Sequence, residues 1–193
     1  MSNYVIWTQK REELACVLNT FENVDKLYEF RRGISRIDDF PKNALFTQDM
    51  DFPKNTRLID NLCNVNSLIV ASERLKLFLE SRKITQIEYL PVSILDHQGN
   101  IASSSYYIIH PIHSIDCLDL EMSDPTWSKV TKNSIRSVKK LVLNEDKIPT
   151  DREMFRLQKY LLPVLVKREL AQAIDKASFS GIRWVKPENY PEN

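Results

Sequence analysis

The sequence predicts an α+β fold: a single domain over residues 1–193, with a mixed or antiparallel sheet and a few short helices. Three observations predict it. Residues 68–91 read as strand, helix, strand. Residues 163–187 read the same way. Between them, residues 88–95, in which Leu90, Val92 and Ile94 alternate on one face, and residues 101–109 flank Asp96-His97-Gln98-Gly99-Asn100, a run rich in turn formers and typical of a hairpin tip.

In the first unit, Leu68-Ile69-Val70 is a short apolar run that suits a buried strand. Ser72 stands where a helix N-cap belongs, and Glu73 puts a negative charge at the positive end of the helix dipole. Leu75, Phe78 and Leu79 then form one apolar helix face, Arg82 and Lys83 close the last turn, and Ile87 and Tyr89 open a second strand. In the second unit Leu165, Leu170, Ile174, Ile182 and Trp184 answer Val70, Leu75, Leu79, Ile87 and Tyr89, each 95 positions later. Two readings stand. The pair is a degenerate internal repeat, or two short units of one type that look alike.

Taken in order, residues 4–8 (YVIWT) read as an N-terminal strand. Residues 13–22 fit either a helix, through Leu14, Val17, Leu18 and Phe21, or a strand around Cys16 to Leu18. Residues 38–56 read as a long loop in which Phe-Pro-Lys-Asn occurs twice, at Phe40 and Phe52, and each proline disfavours helix before it. After the hairpin, in which Pro91 marks an edge or a bulge, residues 115–120 read as a strand. Residues 124–127 read as a turn anchored by Trp127. Residues 140–143 read as a strand, with Ile135, Val138 and Leu141 fitting a helix as well. Thr150 with Glu153 is a capping-box pattern that predicts a helical turn.

Composition narrows function mainly by exclusion. The net charge of +1 gives no global pull toward nucleic acid or an anionic membrane. No run approaches the length of a membrane span, and the N-terminus lacks the apolar core of a secretory signal. Cys16, Cys63 and Cys117 are odd in number and far apart, which suggests reduced thiols in a cytoplasmic protein. Three glycines leave no room for a glycine-rich phosphate loop.

His110, His113 and Asp116 are the most metal-like cluster, a ligand set known for zinc or iron, and they would carry a small metal-dependent hydrolase. Against that, Pro111 holds the segment extended, where positions three apart face opposite ways. Asp119 and Glu121 share a face if that segment is a strand. Lys129, Lys132, Arg136, Lys139 and Lys140 form a basic stretch without acids, suited to phosphate contact or to an exposed strand face. It lacks aromatic residues for base stacking.

Several stretches carry a family resemblance: Leu68-Ile69-Val70-Ala71-Ser72-Glu73-Arg74-Leu75, Glu88-Tyr89-Leu90-Pro91-Val92, Tyr107-Ile108-Ile109-His110-Pro111, Asp116-Cys117-Leu118-Asp119, Lys140-Leu141-Val142-Leu143, Phe155-Arg156-Leu157 and Gly181-Ile182-Arg183-Trp184. In order and spacing they resemble the predicted immunity proteins of bacterial polymorphic-toxin systems, a family whose type member is myxobacterial. The resemblance spans about residues 58–184. It implies a cytoplasmic, non-enzymatic protein that binds a cognate protein toxin, such as a nuclease or another lethal domain. It implies no catalytic residues, cofactor, nucleic acid or membrane. Where that family favours a small or hydroxyl residue before the second helix, this chain has Lys167, which weakens the N-cap. The loop acids Asp38, Asp39, Asp49 and Asp51, with Phe40 and Phe52, are the expected partner-binding residues, because long loops on rigid scaffolds often bind and acids suit a basic cleft.

Overall fold

In the computed structural model, which describes residues 2–191, twelve strands and four short α-helices occur. The first half holds β1 (Tyr4–Gln9), β2 (Val17–Glu22), α1 (Tyr28–Arg32), β3 (Leu45–Gln48), β4 (Asn61–Asn64), β5 (Ile69–Ser72), α2 (Glu73–Ser81), β6 (Ile87–Leu95) and β7 (Ile101–Pro111). The second holds α3 (Leu120–Ser123), β8 (Pro125–Trp127), β9 (Ile135–Val138), β10 (Met154–Arg156), β11 (Val164–Lys167), α4 (Arg168–Lys176) and β12 (Ile182–Val185). Six strands close a small barrel in the order β2-β3-β6-β7-β5-β4. It is mixed, because β2 pairs with β4, and β3 with β6, in parallel. A four-stranded antiparallel sheet has the order β10-β11-β1-β12, and β8 and β9 form a separate ribbon. The class is the α+β predicted.

The two strand–helix–strand units are in phase. β5, α2 and β6 begin at Ile69, Glu73 and Ile87; β11, α4 and β12 begin at Val164, Arg168 and Ile182. Each start keeps the 95-residue offset, and both helices have nine residues. The likeness extends to strand register. Ile69 and Tyr89 flank Ile109 of β7, while the equivalent Val164 and Trp184 flank Trp7 of β1. In both units the two outer strands are therefore parallel, with an antiparallel strand between them. The first copy takes that middle strand from the segment that follows it, and the second takes it from the N-terminus.

Strand alternation sorts the side chains into three apolar clusters. Val70, Leu90, Val92, Ile94 and Ile108 point into the barrel with Leu18, Phe46 and Leu62. Ile69, Ala71 and Ile109 point outward and meet Val5, Trp7, Val164 and Val166 of the sheet, and Leu75, Leu79, Leu170 and Ile174 of the two helices complete this shared layer. The far face of the sheet, with Tyr4, Ile6 and Leu165, is covered by Cys117, Ile135, Val138 and Leu141. Ser72 Oγ accepts the Leu75 N–H at 3.3 Å, as an N-cap does. Lys167 makes no side-chain cap, and the Arg168 N–H instead donates to the Asn3 carbonyl at 2.8 Å. Pro91 sits where β6 pairs with β7 but not with β3, whose pairing begins at Ser93, so its missing N–H costs no ladder bond.

Several expectations give way to tertiary pairing. Of the helix and the strand that residues 13–22 allowed, the strand forms as β2, and Leu14, on the helical pattern, is exposed with φ 55°. The long loop contains β3, four residues that enter the barrel between two polar, proline-bearing arms. Residues 115–120 make two isolated bridges, Ile115 to Leu157 and Leu118 to Leu143, instead of a strand. Asp119 then caps α3 by accepting the Met122 N–H, so Asp119 and Glu121 share no strand face. Residues 125–127 are strand β8, and Trp127 is exposed instead of anchoring a turn. The strand near residue 140 is β9, which ends at Val138, where the Lys139 N–H turns to the Ser123 carbonyl. Thr150 to Glu153 stay non-helical because the next residues pair with β11.

Leu79 and Ile174, at equivalent places in the two helices, are both buried in the shared layer. Leu79→Ala and Ile174→Ala are each expected to cost about 2–5 kcal/mol of unfolding free energy in denaturant titration. A loss near zero at either position would contradict the equivalence.

Candidate binding surface

The acidic loop residues fall into two groups. β3 separates Asp38, Asp39 and Phe40 from Asp49, Asp51 and Phe52 by four strand residues, about 13 Å of chain. In the first group Asp39 is committed. Its carboxylate accepts Arg36 Nε at 2.9 Å, and Asp25 and Glu29 bind the same guanidinium at 3.0 and 3.1 Å. Arg36 is 1% exposed, so these three carboxylates neutralise a buried cation. Phe40 is half-buried, its ring edge-on to Phe30 of α1 at 6.3 Å. Asp38 is exposed. In the second group Asp49 Oδ1 accepts the Asp51 N–H at 3.0 Å, and Phe52 lies under the Arg11 guanidinium at 5.5 Å.

The histidine cluster does not assemble. His110 is buried in β7, with Nε2 at 2.8 Å from the Ile34 carbonyl. Burial pushes its pKa down to about 4, so the ring is neutral. His113 turns away to Gln86, and Asp116 holds Lys159 at 2.7 Å. Among the described residues no group of three or more His, Cys, Asp or Glu is placed to hold a metal.

An acid that the sequence reading passed over, Asp60, joins the two units. Its carboxylate takes Arg74 in two hydrogen bonds, at 3.0 and 2.7 Å, Ser72 Oγ at 2.9 Å, and the Ser180 N–H and hydroxyl at 3.0 and 2.8 Å. Ser72 caps the first unit's helix, and Ser180 follows the second's. Beside it Gly181, at φ 79°, donates its N–H to Glu12 and accepts from Asn61 Nδ2 at 2.8 Å. A Cβ there would run into the Asn61 carbonyl and the Ile59 side chain. Burial tends to raise the Asp60 pKa, but Arg74 and the serine donors outweigh it and hold it at about 2.

A groove opens on the side of α1. Two adjoining hollows, of about 460 and 370 Å³, share Arg32, Ser134 and Leu161. α1 supplies one wall with Tyr28, Arg31 and Arg32. The loop between β8 and β9 supplies Thr131 to Ser134, and residues 158–161 complete it. Leu27, Tyr28, Ile34 and Trp127 are large apolar or aromatic side chains left exposed along it, and Val130 beside it is 95% exposed. Among the described residues no acid lines the groove. Lys159 is neutralised by Asp116, but among the described residues Arg31, Arg32 and Lys132 have no carboxylate partner. The basic stretch seen in the sequence thus contributes Lys132. Arg31 and Arg32 come from α1, a helix not predicted from the sequence.

The fold and this surface define an α+β protein whose distinguishing feature is a cationic, aromatic-flanked groove, without a metal-binding cluster among the described residues. Residues 6–189 match the Immunity protein family (Imm11), and the chain belongs to that family. Its family role is toxin-neutralising immunity. No curated protein matches the chain.

Asp60 gives the junction of the two units a pH signature. A carboxyl held near 2 in the fold, against 3.8 for the free group, adds stability that is complete above about pH 4 and is lost as pH falls from 4 to 2. Asp60→Asn is expected to lose about 2 kcal/mol at pH 7 and to flatten that acid limb in denaturant melts taken across pH. An acid limb unchanged by the substitution would remove Asp60 from this role.

Proposed function

We propose that the protein neutralises a cognate protein toxin by stoichiometric binding in the cytoplasm of the producing cell. The observation that carries this reading is the family match over residues 6–189. The exposed groove supports it, because an unpaired set of cations ringed by apolar side chains suits recognition by another protein. The loop residues also enter as a proposal. Asp38 is exposed near α1, and Asp51 and Phe52 are exposed beyond β3. Their charge would steer basic parts of the toxin during encounter.

Titration against the toxin domain encoded by the adjacent reading frame tests the mode of action. Binding is expected to abolish toxin activity with a sharp end-point at equimolar protein, and the complex is expected to survive gel filtration. Complete inactivation by a small fraction of an equivalent would mean turnover and would put the hydrolase class first. Asp38→Asn with Asp51→Asn is expected to slow association at low salt while leaving dissociation unchanged. An unaltered association rate would remove the loop from the encounter.

A further inference from the structure

Among the described residues two arginines, Arg36 and Arg156, are buried, and they are treated differently. Arg36 is surrounded by Asp25, Glu29 and Asp39. Arg156, in β10, is 2% exposed and meets no carboxylate among the described residues. Its Nη1 reaches the Leu161 and Leu162 carbonyls at 3.4 Å, the long limit for a hydrogen bond, and its Nε has no partner. Leu161 lines both hollows of the groove. Burial and the like charge of Arg31 push the Arg156 guanidinium down to about 10, which still leaves it cationic at neutral pH. An uncompensated buried cation is costly, and the fold elsewhere neutralises one fully. Here the charge stands behind a groove that already carries Arg31, Arg32 and Lys132 without an acid.

We propose that the groove between α1, the β8–β9 loop and residues 158–161 receives an acidic segment of the toxin. The proposal rests on the toxin-binding reading above. Carboxylates entering the groove would take paired hydrogen bonds from the exposed guanidiniums of Arg31 and Arg32. They would also supply the negative charge that Arg156 lacks. Tyr28 and Trp127 offer aromatic anchoring surface, and Leu27 and Ile34 an apolar rim. The exposed aliphatic side chains of Leu27 and Ile34, which offer nothing to bases or phosphates, favour a protein segment over a nucleic acid.

The test measures binding of the inactive toxin domain at low and high salt. Arg31→Glu with Arg32→Glu, and separately Lys132→Glu on the opposite wall, are expected to weaken binding, the double reversal by about 100-fold. Arg31→Lys with Arg32→Lys is expected to lose far less, because the charge remains. Arg156→Met is expected to raise the melting temperature of the free protein while weakening the complex; a merely structural arginine would give a lower melting temperature and unchanged binding, and that result counts against the proposal. Reversal variants that melt like wild type and bind within about twofold of it overturn the proposal and leave toxin binding intact. Failure of the wild-type protein to bind removes both. Groove-dependent, salt-sensitive binding of a labelled single-stranded DNA or RNA oligonucleotide, without dependence of toxin binding on Arg31 and Arg32, makes nucleic acid the occupant and also overturns it.

Discussion

Each strand–helix–strand unit leaves its two strands parallel and one strand-width apart, so each unit requires a third strand in the gap. The rest of the architecture follows from how that gap is filled. β7, the return arm of the hairpin, fills the first, and β1 fills the second. Both middle strands are buried on both faces, which is why Tyr4 to Trp7 and Tyr106 to Ile109 are apolar or aromatic at every position. Placing Ile109 and Trp7 at equivalent register brings the outward face of the barrel wall against the sheet, with both helices in one layer between them. The Asp60 carboxylate then ties the cap of the first helix to the turn after the second. Gly181 permits the close approach that this junction demands.

What the sequence disclosed, it disclosed through local signals that tertiary structure reinforces. Ser72 is a cap in both readings, and the apolar periodicity of residues 75–79 and 170–174 marks helices that are amphipathic because they cover a sheet. The Asp96-to-Asn100 turn is self-contained, with Asp96 accepting the Gln98 and Asn100 N–H groups at 2.8 and 2.9 Å. What stayed hidden depends on distant partners. β3 is four residues long and buries only Phe46 and Gln48, so its identity comes from β2 and β6 on either side. β10 overrides a capping signal because β11 is there to pair with it. The barrel closure itself joins strands that no local pattern connects.

The same distinction applies to the surface. The doubled Phe-Pro-Lys-Asn arms stand out in the sequence, yet they flank a barrel strand, and Asp39 is occupied with Arg36. The groove is assembled from α1, a loop near residue 132 and a loop near residue 160, segments far apart in the chain. Its single sign of charge appears only once those segments meet. The contrast between Arg36 and Arg156 is likewise invisible in sequence, where nothing near either arginine shows which carboxylates will meet it. In the fold one is neutralised by three carboxylates and the other, among the described residues, by none.

Amide hydrogen exchange of the protein with and without its inactive toxin domain addresses the central claim most directly, because it reads every backbone segment at once. The account expects new protection at residues 28–32, 131–134 and 158–161 together, as the three sides of the groove are covered by one partner. Protection confined to the hairpin tip at residues 96–100, or to the β3 arms with those three segments unchanged, would contradict it.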